Sequence, residues 1–344
     1  MTLKEKLETY LSNRLKSRLE IRDFFSLSGG GGACQDNYSF GLQIDSGEWQ
    51  GFHELVLRTD KGGSLYASIS KEDEFSVTSL AYSHGVKTPR PYWLEKDSSF
   101  TGNPFFIMQK ITGKANGRYV VKDAGLNKIR SSMPIELAEN LAKIHSITPK
   151  DCSDEKLQKV LSGGKPLDNN YSHIAVEVVR KEVESLSSPH PAMELILNWA
   201  SKNAPDCDKI VLVHGDFRTG NFMFNQEGLQ GILDWEFTHW GDRHEDISWF
   251  CMRDWRFGKL NKEAGGITTR NEFFEAYEFY SRVPVDSKKV LFWEVIGNLR
   301  WAVGSAGQAE RHLSGKDKGI ELASIGRRTS EMEYEAMRLI ENAG

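Results

Sequence analysis

Short, β-rich apolar runs crowd the first third of this chain, and helical spacings fill most of the rest. Runs at 21–27, 38–44, 54–58, 92–94 and 104–108 are brief and rich in β-branched or aromatic residues, the pattern of strands. Leu3, Leu7, Tyr10, Leu11, Leu15 and Leu19 recur instead at helical spacing, which predicts an amphipathic helix over 2–19 packed on those strands. A helix is also predicted over 71–83, where Phe75, Val77, Thr78 and Leu80 to Tyr82 supply an apolar side. Beyond Ile111 the pattern predicts helices over 134–146, 174–186, 191–201, 272–282, 287–306 and 329–342. The Lys/Asp/Gly-rich stretch 150–170 reads as a mobile connection. Strands gathered on one side and helices on the other give an α+β chain, with a small lobe over 1–111 and a mostly helical large lobe over 112–344.

One stretch of the second part breaks the helical pattern. Val211-Leu212-Val213 is a short buried-strand run, followed by the polar loop His214-Gly215-Asp216. Phe222-Met223-Phe224 and Gly231-Ile232-Leu233 then read as two strands joined by the turn cluster Asn225-Gln226-Glu227-Gly228, a β-hairpin. Asn221 falls at the entry of one strand and Asp234 at the exit of the other, so antiparallel pairing brings the two side chains together. A carboxamide oxygen and a carboxylate facing one point suit an oxygen-preferring Mg²⁺ that takes its other ligands from nucleotide phosphates and water. Asp216, one loop earlier, is placed to accept the proton of an incoming hydroxyl. Base, amide and second carboxylate together are the equipment of phosphoryl transfer. The plain alternative is that all three are turn and loop-capping residues.

On His214-Gly215-Asp216-x-x-x-x-Asn221 and Ile232-Leu233-Asp234-Trp235-Glu236, the chain resembles the aminoglycoside phosphotransferase and choline kinase superfamily, a branch of the protein-kinase-like fold. The resemblance implies a two-lobe architecture with a small antiparallel-sheet lobe for ATP and a larger helical lobe for catalysis and the acceptor. It implies Asp216 as catalytic base, Asn221 and Asp234 as Mg²⁺ ligands, and His214 packed beneath the loop. Asp246, in Gly241-Asp242-x-x-x-Asp246-Ile247-Ser248-Trp249, is implied as a brace of that loop, and an Asp N-cap is its local reading. Glu236 either helps at the metal or faces solvent.

Upstream, Ser28, Gly29, Gly30, Gly31 and Gly32 lie between two strand runs, where backbone N–H groups can approach phosphates. No Gly-Lys-Ser/Thr follows, so this is not a Walker A loop. Where protein kinases carry a strand lysine paired with a helix glutamate, this chain has Arg58, with Lys61 in reserve. The partner is expected to be Glu74, with Glu72 the alternative. Arginine binds phosphate as a fork rather than a point charge, so the replacement is not neutral. By resemblance Met108 lines the adenine pocket, and the Gln109 C=O and Ile111 N–H bond the base. Leu55-Val56-Leu57-Arg58, Gly85-Val86 with Pro89, Pro104-Phe105-Phe106-x-Met108 and Trp255-Arg256-Phe257-Gly258 are similar to the subgroup whose relatives occur fused to acyl-CoA dehydrogenases.

The remaining composition narrows the partners. A formal net charge of −4 with no basic block gives no support for nucleic-acid binding. Cys34, Cys152, Cys207 and Cys251 are scattered without a C-x-x-C and read as reduced thiols. No apolar run approaches the ~20 residues of a membrane span, and the expected location is the cytoplasm. The expected partners are a nucleotide and a small hydroxyl compound. Arg243, Arg253, Arg256 and Arg300, interleaved with Trp240, Trp249, Trp255, Trp293 and Trp301, suggest an anionic or amphiphilic acceptor such as a hydroxyacyl thioester. Arg253, Trp255 and Arg256 are the acceptor-side candidates. An aminoglycoside acceptor, and a nucleotide-binding module without transfer activity, stay open. ATP against GTP and the oligomeric state are open as well.

Overall fold

The computed structural model describes residues 1–27, 35–60, 68–168, 170–315 and 319–343. Helix α1 (Leu3–Leu15) starts at a Thr2–Glu5 capping box and lays Leu7, Tyr10 and Leu11 on the small-lobe sheet. It is shorter than the heptad-like leucines predict. Lys16 takes the left-handed conformation and stops it, and Leu19 begins strand β1 (Leu19–Ser26). Strands β2 (Gln35–Ile44) and β3 (Gly51–Asp60) pair antiparallel from Gln35↔Asp60 to Ile44↔Gly51. Helix α2 (Lys71–Ser83) covers the predicted span; strands β4 (Pro91–Glu95) and β5 (Phe105–Gln109) follow it. The sheet order is β1-β2-β3-β5-β4, with every pairing antiparallel.

Side-chain alternation in β3 sets the chemistry of its two faces. Leu55 and Leu57 join the small-lobe core under α1. Val56 and Arg58 point the other way, so an arginine is carried on the inner face of the sheet, beside α2. Helix α2 in turn buries Val77 and Ala81 in the core of the large lobe, which ties the lobes together.

The large lobe comprises helices α3 (Gly117–Lys122), α4 (Met133–Ser146), α5 (Glu155–Leu161), α6 (Tyr171–Glu184) and α7 (Pro191–Asn203). Then come strands β6 (Ile210–Val213), β7 (Phe222–Asn225), β8 (Gly228–Ile232) and β9 (His239–Asp242). Helices α8 (His244–Cys251), α9 (Arg270–Ser281), α10 (Ser287–Leu313), α11 (Ile320–Gly326) and α12 (Thr329–Glu341) complete it. One core gathers α4, the β7–β8 hairpin, α8 and α9; a second joins α6, α7, α10 and α12. The stretch 150–170 is not the loose connection expected. Asp154 caps α5, whose Leu157 and Leu161 lie one turn apart and are buried in the first core. No helix among the described residues is long and apolar enough to cross a membrane.

Candidate active site

Strand β6 delivers the chain into a loop that only glycine can turn. Gly215 has φ +80°, and a Cβ there would lie 2.2 Å from the Phe237 carbonyl oxygen. The loop is held from below by one carboxylate. Asp246 is fully buried and accepts the backbone N–H of His214 at 2.7 Å and of Gly215 at 3.0 Å. It also meets His145 Nε2 at 3.2 Å, and His145 Nδ1 meets the Tyr277 hydroxyl at 2.8 Å. Burial works against ionisation of Asp246, but these donors outweigh it and hold the carboxyl below its usual range. Asp246 is not an N-cap. Arg243 occupies that position of α8, and Asp246 lies inside the first turn with its carboxylate aimed back at the loop.

His214 fastens the loop to the hairpin. Its Nδ1 accepts the Asp216 N–H at 3.2 Å, which leaves Nε2 as the donor to the Leu233 C=O at 3.0 Å. Burial holds this imidazole below its ordinary pKa, in the neutral form these two bonds require.

The Asp216 carboxylate is buried and has three donors. Oδ1 accepts Arg218 Nε and Trp249 Nε1, each at 2.8 Å, and Oδ2 accepts Asn221 Nδ2 at 2.6 Å. Asn221 Nδ2 also reaches the Asp216 C=O at 3.0 Å. The amide nitrogen is thereby committed to the loop, and the amide oxygen of Asn221 has no hydrogen bond to a described residue. The Leu233 N–H donates to the Asn221 C=O at 2.8 Å, so Asp234 emerges beside Asn221 at the hairpin mouth. Asp234 is half-buried with φ +71°, a left-handed conformation that Asp tolerates better than most residues. Burial would raise its carboxyl pKa, but the Arg58 guanidinium bonded to it holds the carboxyl below the usual range. Glu236 behaves oppositely: burial and the adjacent Asp234 charge push its carboxyl up to about 7.

Among the described residues there is no group of three or more His, Cys, Asp or Glu side chains that could hold a metal. Two hard oxygen donors, from Asn221 and Asp234, with most positions left to phosphate and water, fit Mg²⁺ and do not fit zinc.

On the small-lobe side, Arg58 Nε donates to Glu74 Oε1 at 2.7 Å, and its Nη2 lies 2.6 Å from the same oxygen. Lys71 Nζ takes the other oxygen, Oε2, at 2.7 Å. Glu72 turns outward to Lys96 and Lys156, at 2.7 and 3.0 Å. Met108 and Gln109 end β5, where Met108 pairs with Val56 and Gln109 with Leu55. Ile111 follows and packs on the hairpin, its Cδ1 within 2.7 Å of where a Cβ on Gly231 would lie. Ser28, Gly29, Gly30, Gly31, Gly32 and the reserve Lys61 lie outside the described residues.

The acceptor-side candidates divide. Trp255 is buried and lies under Arg218, whose guanidinium carbon is 4.5 Å from the ring centroid. Arg253 is exposed and approaches Glu335 at 3.6 Å. Arg256 does not reach the cleft: it is turned inward, donating to the Cys251 C=O at 2.6 Å and facing buried Glu294 at 3.8 Å. Arg243 and Arg300 are likewise taken by Asp208 and Glu245. The cation beside Asp216 is instead Arg218. The sequence reading gives Arg218 and Lys71 no role and counts Trp249 only among the aromatic residues of an acceptor site. Arg218 and Lys71 have local signals, standing two residues after Asp216 and one turn before Glu74. Trp249 has none except its place three residues after Asp246 on one helix.

The mouse protein Acyl-CoA dehydrogenase family member 10 is 28% identical over 81% of this chain, yet the match spans only 26% of that protein's own length. The fold is shared with a candidate aminoglycoside phosphotransferase of Ralstonia eutropha (TM-score 0.71, 21% identity, 98% of both chains). It is shared too with the GDP complex of aminoglycoside 2'-phosphotransferase-IIIa (TM-score 0.57, 15% identity, 96% of this chain and 99% of that one).

 A model described as the phosphotransferase enzyme family matches residues 31–282, which include β3, the loop from His214 to Asn221, the hairpin and α8. The chain belongs to the phosphotransferase enzyme family.

Proposed function

We propose that this chain moves the γ-phosphoryl group of a Mg²⁺-bound nucleoside triphosphate, ATP first among them, to a hydroxyl group of a small molecule. The observation that carries this reading is the Asp216 carboxylate, held by Asn221, Arg218 and Trp249 beside the oxygen donors of Asn221 and Asp234. Two donors fill Oδ1, while Oδ2 has one, so Oδ2 keeps a lone pair for the proton of the acceptor hydroxyl. Asn221 and Asp234 would hold the metal. A Mg²⁺ held there would supply positive charge against the charge developing on the phosphates. Arg58 Nη1 has no bond to a described residue and is the donor left for phosphate. The chain's contribution is positioning and charge, as phosphoryl transfer requires.

For the acceptor, Arg218 stacked on Trp255 next to the base favours an anionic or amphiphilic compound, a hydroxyacyl thioester among them. Similarity to a protein named as an acyl-CoA dehydrogenase family member supports the same choice. A polycationic aminoglycoside meets a like charge at Arg218 and ranks second. A nucleotide-binding module without transfer activity is favoured only by Arg58 standing where kinases carry lysine. ADP release with Mg-ATP, measured over a panel of hydroxyacyl thioesters, hydroxy acids and aminoglycosides, separates the three. Acceptor-dependent ADP release with an anionic compound is expected. Release only with aminoglycosides overturns the acceptor assignment, and nucleotide binding without release under any acceptor overturns the transfer reading.

A further inference from the structure

We propose that Lys71 is a positioning residue of the nucleotide site: by holding the second carboxylate oxygen of Glu74, it sets the orientation in which Arg58 meets the phosphates. This rests on the phosphotransfer reading above. An arginine facing a carboxylate ordinarily spreads its fork over both oxygens. Here Arg58 Nε and Nη2 both converge on Oε1, because the Lys71 ammonium occupies Oε2 at 2.7 Å. The side chains of Arg58, Glu74 and Lys71 are 9%, 2% and 2% exposed, so water cannot take the place of any of them.

A purely structural role accounts poorly for this lysine. It opens α2, where a cation opposes the helix dipole. It is also buried, where an ammonium is costly unless its charge is used. Its backbone is fixed relative to the metal-binding end of the hairpin, since the Ile69 N–H donates to the Glu236 C=O at 2.8 Å. Charge balance points the same way. Glu74, Asp234 and Glu236 surround Arg58; Lys71 acts on Glu74 and Glu236, and Arg218 on Asp234. Without Lys71, Glu74 would keep Arg58 as its one ion-pair partner among the described residues, where a polyanion has to bind. A planar guanidinium also needs its direction fixed more than a rotating ammonium does.

The test uses the full chain and a fluorescent ATP analogue with Mg²⁺, titrated against wild type, Lys71→Met, Lys71→Arg, Glu74→Gln and the Lys71→Met/Glu74→Gln double variant, with thermal melts of each. Lys71→Met is expected to weaken nucleotide binding about tenfold, the scale of one charge-assisted hydrogen bond. Lys71→Arg should recover most of that loss, and the double variant should bind no more weakly than Glu74→Gln alone. If Lys71→Met melts earlier but binds like wild type, the lysine is structural and the proposal falls. A double variant weaker than Glu74→Gln means a direct phosphate contact and also overturns it. Should Lys71→Met fail to fold, Lys71→Gln, which keeps a donor for Oε2 without the charge, gives the same comparison. A wild-type chain that binds no Mg-ATP defeats the phosphotransfer reading itself. Normal wild-type binding with an unchanged Lys71→Met defeats only the role of Lys71.

Discussion

Replacing Asp216 by asparagine removes one charge and adds one donor at the most densely bonded point of the site. The wild-type carboxylate accepts from Arg218, Trp249 and Asn221. Asparagine has a single acceptor oxygen. Placed at the Oδ1 position it keeps Arg218 and Trp249, but its amide nitrogen then faces Asn221 Nδ2, which stands 2.6 Å from the wild-type oxygen. Donor against donor is repulsive, so Asn221 must turn away or lose its anchor. The reverse placement sets the new nitrogen against both Arg218 and Trp249, which is worse. Leaving one buried donor unpaired costs about 1–3 kcal/mol. Loss of a general base lowers turnover by a factor of ~10²–10⁴. Acceptor-dependent ADP release from Asp216→Asn should therefore fall at least a hundredfold. Arg58, Lys71, Glu74 and Asp234 are untouched but Asn221 is disturbed, so Mg-ATP should bind at most about tenfold more weakly than to wild type, on the order of 1.4 kcal/mol and well short of the loss of turnover. Coupled ADP release, nucleotide titration and a thermal melt on the same preparation measure the three quantities. Near-normal turnover by a folded Asp216→Asn chain would refute the assignment of the base and the reasoning from its hydrogen bonds.

Gly215→Ala should destabilise the chain and stop transfer, because the new Cβ falls 2.2 Å from the Phe237 carbonyl oxygen at φ +80°. The strain of such a conformation is of order 1–3 kcal/mol before the clash is counted, and a melting temperature equal to wild type would contradict it. Acidification should weaken the fold in two stages. Burial holds His145 below its ordinary pKa, so the unfolded chain takes up protons that the folded one resists, and stability falls as pH drops below about 6.5. Asp246, held low by His145 and the loop amides against its burial, contributes stability above about 3.9 that is lost as pH falls further through its folded value. Melts from pH 7 to 5 should show a shallower slope in His145→Gln than in wild type; equal slopes would exclude His145 from the first stage.

Much of the site was legible in the chain because its parts are local. Asp216 and Asn221 share one loop, and Asn221 and Asp234 are joined by a short hairpin whose turn residues and apolar runs announce themselves. The Arg58–Glu74 pair follows from a strand and a helix adjacent in sequence. Periodicity alone misjudged two boundaries. The leucine stripe over 2–19 does not record that Lys16 takes a left-handed turn, and a polar composition over 150–170 hides the two leucines that anchor α5.

The sequence by itself determined which groups could do chemistry, through residue type and near-neighbour spacing, and it determined the segregation of strands from helices. Only the tertiary structure decided which of those groups meet. Trp249 reaches Asp216 from 33 positions away, and Arg58 reaches Asp234 from 176. Arg256, by contrast, is claimed by Glu294 and never faces the cleft. Hydrogen-bond spacing along a turn or hairpin is fixed by local backbone geometry. The partner of a long cation depends on how whole helices pack, and that information is spread over the entire chain.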